Sequence, residues 1–228
     1  MRKLGLLIMA IGVGCIGYAA YDLYSYKLDE DRTLNQAEKL LEEAKKLPQH
    51  NKKDNLHNST DKNVANAKNS GEINSNGKEQ PSVNDEDSDS SPNKYHFNTN
   101  DAIGILTIPK IGAKLPIVEG TNPKDLKKGV GHHSTTVLPG QQDMVLLSGH
   151  RDTVFRKMGQ LKNGDRFTVE LPYGTYTYEM RDHKIVDADD TSIIKSTAPD
   201  EVLVISTCYP FHYLGDAPQR YVIYAYPV

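Results

Sequence analysis

Cys208 is the sole thiol of the C-terminal part of the chain, and it directly follows the strand-forming run Val202-Leu203-Val204-Ile205-Ser206-Thr207. A thiolate at a strand end can attack a carbonyl and hold the acyl group as a thioester. His150 closes a second apolar run, Met144-Val145-Leu146-Leu147-Ser148-Gly149, and is followed by Arg151 and Asp152. An imidazole there could give and take the protons that acyl transfer requires. Arg220 opens the last strand after Ala217-Pro218-Gln219. Its guanidinium could steady an oxyanion or hold a substrate backbone. Each residue also has an inert reading: a space-filling thiol, a turn histidine, an exposed strand-edge arginine. His132, His133, His183 and His212 compete with His150 for the proton-transfer role.

The elements that must position these residues are short strands. Runs rich in Ile, Val, Leu, Tyr and Thr fall at 103–108, 114–118, 144–148, 165–171, 175–186, 202–207 and 221–226, separated by Pro and Gly turns. Seven or eight such strands, with brief helical windows at 122–128 and 155–161, predict an all-β barrel or sandwich. About 130 residues suffice for one core.

Upstream, the composition differs. Residues 4–21 carry no charge and follow Arg2 and Lys3. As a helix they extend about 27 Å, enough to span a bilayer, with the N-terminus inside. A cleaved signal peptide, with Gly17-Tyr18-Ala19 as its small-x-small site, and a lipoprotein modified on Cys15 are the rival readings. All three export the remainder, and an unpaired thiol in an exported domain calls for a role.

Leu34, Ala37, Leu40, Leu41, Ala44 and Leu47 recur at helical spacing, which predicts an amphipathic juxtamembrane stalk ended by Pro48. From Pro48 to Lys94 there are ten Asn, no aromatic residue and six apolar side chains, so this stretch is expected to be a disordered tether. Its acidic run at 85–89 lacks the glycine and terminal glutamate of an EF-type calcium loop. The expected organisation is an anchor at 1–26, a juxtamembrane helix at 27–47, a linker at 48–94 and a catalytic domain at 95–228.

Charge excludes other classes. With 27 Lys+Arg against 30 Asp+Glu, a net charge of -3 does not suit phosphate neutralisation, so no nucleic-acid partner is expected. Two cysteines cannot build a disulfide scaffold, and no Cys/His spacing suggests zinc. No cofactor or metal is expected.

Taken together, the segments resemble a known family. Ser148-Gly149-His150-Arg151-Asp152-Thr153-Val154-Phe155, followed by Leu161-Lys162-Asn163-Gly164-Asp165, resembles the histidine segment of the sortases, class D in particular. Ser206-Thr207-Cys208-Tyr209-Pro210-Phe211, then Ala217-Pro218-Gln219-Arg220-Tyr221, resembles their cysteine and arginine segments. The runs 103–111 and 115–120 resemble the first two strands, and Gly129-Val130-Gly131-His132 and Pro139-Gly140 match further positions. Where the family favours Thr-Leu-x-Thr-Cys, this chain has Val204-Ile205-Ser206-Thr207-Cys208.

The resemblance spans about residues 100–228. It implies a single eight-stranded β-barrel and a cysteine transpeptidase, with His150, Cys208 and Arg220 on the catalytic positions and His132 in a structural role. By the same resemblance, the substrates are surface proteins bearing a Leu-Pro-x-Thr-(Gly/Ala) sorting signal. Cleavage after Thr passes through a thioacyl-enzyme, and the acceptor is a peptidoglycan precursor amine outside the membrane. The C-terminal Tyr226-Pro227-Val228 lacks a sorting motif, which reads as enzyme rather than sorting substrate. Residues 93–100 lack an Asp-Pro-aromatic lid, which favours wall attachment over pilin polymerisation.

Two rivals remain at this level. An L,D-transpeptidase would carry Ser-x-Gly-Cys with arginine two residues on, whereas here Thr207 precedes the cysteine and Arg220 lies twelve residues beyond it. A tethered binding module would make Cys208 an inert core thiol.

Overall fold

The computed structural model describes residues 2–46, 95–212 and 215–228, with side chains described from Met9 onward. The expected linker at 48–94 lies outside the described residues.

The C-terminal part is a closed eight-stranded barrel. Its strands are β1 (Ala102–Ile108), β2 (Ala113–Glu119), β3 (Val130–His132), β4 (Met144–Gly149), β5 (Arg166–Leu171), β6 (Gly174–Asp187), β7 (Val202–Tyr209) and β8 (Gln219–Pro227). They close in the order β1-β2-β3-β4-β7-β8-β6-β5, with β2–β3 and β4–β7 parallel and the other pairs antiparallel. Closure removes the free sheet edges that would otherwise invite pairing with other chains. The predicted strands appear within two residues of their expected ends. The addition is β3, whose three residues are too few for alternation to be read. The helical windows become a one-turn helix α2 (Pro123–Leu126) and a 3-10 turn at Met158–Gln160.

Two apolar layers follow from the period of two along each strand. Val145 and Leu147 of β4, Leu203 and Ile205 of β7, and Tyr221, Ile223 and Ala225 of β8 point into the barrel. Met144, Leu146, Val202, Val204 and Val222 point outward, and Ile193 and Ile194 of the β6–β7 connection cover them. That connection is tied down by Asp143, whose carboxylate accepts from Thr197 N at 2.6 Å, Ala198 N at 3.1 Å and Ser196 Oγ at 2.9 Å.

The N-terminal segment is one continuous helix, α1 (Arg2–Lys46). Its ion pairs Lys27–Glu30 and Lys27–Asp31 lie at helical spacing. The predicted apolar stripe is real, but its partner is the barrel itself. Leu34, Ala37 and Leu41 pack on Ile105 and Ala102 of β1. Glu38 pairs with Lys114 at 2.7 Å, Asp29 with Lys127 at 3.7 Å and Lys45 with Glu170 at 3.9 Å. Thus residues 27–46, read from the sequence as a juxtamembrane helix, pack against the barrel. The reason is that the outward face of β1 carries an isoleucine for the stripe to cover. Among the described residues, no helix is long and apolar enough to cross a membrane. The side chains of Leu4, Leu6, Leu7 and Ile8, part of the expected span, are outside that set.

Candidate active site

Register sets side by side the strand ends near which the three predicted residues lie. Ser148 is level with Ser206 and Gly149 with Thr207 on the parallel pair β4–β7. His150 follows Gly149 directly, one residue beyond this ladder, as Cys208 follows Thr207. On the other side of β7, Cys208 pairs directly with Arg220 of β8. Cys208 continues the outward series Val202-Val204-Ser206 and Arg220 precedes outward-facing Val222, so the thiol and the guanidinium share the outward face of β7 and β8.

Local contacts hold these strand ends in place. Thr207 Oγ1 donates to Gly149 O at 2.7 Å, joining β4 to β7 immediately before His150 and Cys208. Phe155 N donates to His150 O at 3.0 Å, closing the turn that follows the histidine. Arg220 Nη1 donates to Gln219 O at 3.1 Å and Ala217 O at 3.3 Å, which fixes one arm of its fork. Among the described residues these are its hydrogen-bond partners, so donors remain for an incoming oxyanion. Cys208 is a half-buried free thiol.

Burial pushes the His150 imidazole below its ordinary range, against an opposing pull from the Asp152 carboxylate. Part of its cover comes from Tyr26 of α1, whose ring meets the imidazole edge-on at 6.5 Å between centroids. Lys127 lies over the far side of the arrangement, 4.9 Å from the Tyr26 centroid. Sequence reasoning placed Tyr26 at the end of the anchor and missed this contact.

The competing histidines stand elsewhere. His132 is buried, with Nδ1 2.7 Å from Glu119 Oε2 and Nε2 3.1 Å from Val137 O, so it ties β3 to β2 and to the following loop. The His183 ring lies tilted against Tyr221, 5.1 Å between centroids. His133 follows β3, with its N–H donating to Leu146 O at 2.9 Å, and His212 is exposed in the β7–β8 connection. Arg151, quoted in the sequence only as following His150, is buried and hydrogen-bonded to Pro210 O and Gly215 O.

Among the described residues, no cluster of His, Cys, Asp and Glu could hold a metal ion. A thiol, an imidazole and a guanidinium are residue types that suit acyl transfer.

A family model described as a sortase domain matches residues 106–228, more than half the chain. The chain belongs to the sortase family. It is 54% identical over 138 residues to sortase D of Bacillus subtilis (strain 168), covering 60% of this chain and 70% of that protein. Sortase A of Bacillus anthracis is 25% identical over 125 residues, covering 53% of this chain and 57% of that protein. Among solved structures, a Clostridium perfringens sortase D5 transpeptidase superposes with a TM-score of 0.55 at 24% identity, covering 61% of this chain and 87% of that one. Sortase C from Clostridium perfringens SM101 gives 0.52 at 30% identity, covering 58% and 72%. The barrel is thus a sortase barrel, and the family is one of transpeptidases.

Proposed function

We propose that this sortase cleaves a Leu-Pro-x-Thr-(Gly/Ala) sorting signal after Thr and transfers the surface protein to a peptidoglycan precursor amine. The observation that supports this reading is the direct pairing of Cys208 with Arg220 on β7–β8, beside the β4 end that His150 follows, in a chain of the sortase family. The Cys208 thiolate attacks the threonine carbonyl carbon, and Arg220 with nearby backbone N–H groups steadies the resulting oxyanion. As the C–N bond breaks, the His150 imidazolium gives its proton to the departing amine, leaving a thioester. The acceptor amine then attacks that thioester, neutral His150 takes its proton, and the Cys208 thiolate leaves. The lowered affinity of His150 for protons favours the neutral imidazole that this second half needs.

The same reading puts residues 1–26 in the membrane, with the N-terminus cytoplasmic and the barrel outside. Met9, Ile11, Val13, Ile16, Tyr18, Tyr21, Leu23 and Tyr24 are exposed on α1, a surface suited to lipid. Tyr26 at His150 would then hold the site within about two helical turns of the span at 4–21.

The test is amine transfer. Full-length protein with Leu-Pro-x-Thr-Gly or Leu-Pro-x-Thr-Ala peptide and a free amine should give the peptidyl-amine product, and Cys208→Ala should give none. Cleavage or transfer persisting in Cys208→Ala would defeat the mechanism.

A further inference from the structure

Arg151 is only 5% exposed, although it carries a permanent charge. Its Nε lies 3.4 Å from Asp152 Oδ1, on a side chain 69% exposed. The closer bonds go to backbone: Nη1 donates to Pro210 O and Nη2 to Gly215 O, each at 2.9 Å. A buried guanidinium is costly unless such bonds are made, and bonds from a charged donor are the stronger kind.

The location of the two acceptors gives the contact its meaning. The β7–β8 ladder ends at the pair Tyr209–Gln219. Beyond it the chain turns between the nucleophile and the cation: Pro210 lies two residues after Cys208, and Gly215 five before Arg220. The planar fork of Arg151 grips both limbs of that turn where the ladder no longer can. It does so from the residue next to His150, so one side chain references all three groups to each other.

We propose that Arg151 is a positioning residue of the site, fixing the β7–β8 turn so that Cys208 and Arg220 keep their spacing relative to His150. This rests on the reading of those three residues as the transfer machinery. Lysine cannot replace it, because an ammonium has no rigid fork to span two carbonyls.

The test compares full-length wild type, Arg151→Lys and Arg151→Ala in peptide-to-amine transfer. Iodoacetamide alkylation of Cys208, located by peptide mapping, serves as a readout that needs no substrate alignment. An ångström-scale displacement predicts a fall in kcat of about 30- to 100-fold in both variants. KM and the alkylation rate should stay within about threefold of wild type. Ethylguanidinium added to Arg151→Ala should restore part of the lost kcat. Should that variant not fold, Arg151→Lys carries the same comparison of kcat with alkylation.

A near-wild-type kcat in either variant overturns the proposal. So does a loss matched by slower alkylation and unmoved by ethylguanidinium, which would mean general structural damage. If wild type itself makes no transfer product, the transpeptidase reading fails. The clamp is then judged by amide exchange at residues 215–219, and unchanged exchange in Arg151→Lys sinks it too.

Discussion

A methyl group on Gly149 would lie 2.6 Å from Phe155 Cε2 and 2.7 Å from Val154 Cγ2, far closer than carbon atoms pack. Phe155 is fully buried in the barrel core and has nowhere to retreat. The glycine before His150 is therefore a packing requirement: only without a side chain can β4 end against Phe155. Gly149→Ala should cost about 1–3 kcal/mol of stability, together with reduced transfer as His150 shifts. Denaturant unfolding checks the first and steady-state rates the second; an unchanged midpoint would show that the turn accommodates the methyl. At this scale the sequence was informative about Cys208 and His150, because each ends a long apolar run that reads as a strand. It was silent about Arg151, because the partners of that side chain are backbone carbonyls 59 and 64 residues away. A backbone acceptor leaves no trace in residue type.

Among the elements, α1 departs furthest from what the sequence suggests. Its stripe was legible, since Leu34, Ala37 and Leu41 stand at three- and four-residue steps, but the surface it covers was not. Ile105 looks like any other strand residue until the barrel closes and turns it outward. Docking has a chemical consequence, because the same helix brings Tyr26 against His150. Leu41→Glu, which puts a charge against Ile105, should release the helix and let water reach the imidazole. His150 should then titrate closer to its ordinary value, higher than in wild type, by NMR; an unchanged titration would mean that the barrel alone buries it. The sign carries over to stability. A histidine with a depressed folded value contributes stability that is present above its unfolded value and lost as pH falls through the folded one. Wild type should therefore lose stability on acidification from the ordinary imidazole range downward, and the Leu41→Glu protein should lose less over that window.

On the scale of the whole molecule, the barrel is pinned at the end opposite the site. Tyr178, fully buried on β6, donates to Glu201 Oε1 at 2.6 Å, and Glu201 Oε2 accepts from Gly140 N at 2.8 Å and Gln142 N at 3.2 Å. Glu201 precedes β7 and Gln142 precedes β4, so one carboxylate gathers the starts of the two strands whose far ends carry Cys208 and His150. Burial and the neighbouring carboxylate both push the Tyr178 hydroxyl well above its usual range, so it stays a donor at any working pH. Tyr178→Phe should lower stability by about 1.5–3 kcal/mol, with kcat unchanged; a fall in kcat without a fall in stability would mean that the two ends of the barrel are coupled. The barrel was readable as an all-β domain because most of its strands are long enough to show their pattern. The exception, β3, is three residues long, and the closing order depends on pairings such as β4 with β7 that join runs more than fifty residues apart.

Cys208, with His150 and Arg220, is proposed as the acyl carrier. Intact-mass measurement of the full-length protein, mixed with Leu-Pro-x-Thr-Gly peptide in the absence of an amine acceptor, tests it most directly. A covalent adduct equal to the peptide up to Thr, mapped to Cys208 and released on adding amine, is the predicted result. Peptide cleavage with no adduct on Cys208, or a Cys208 thiol that neither acylates nor alkylates in the folded protein, would contradict it.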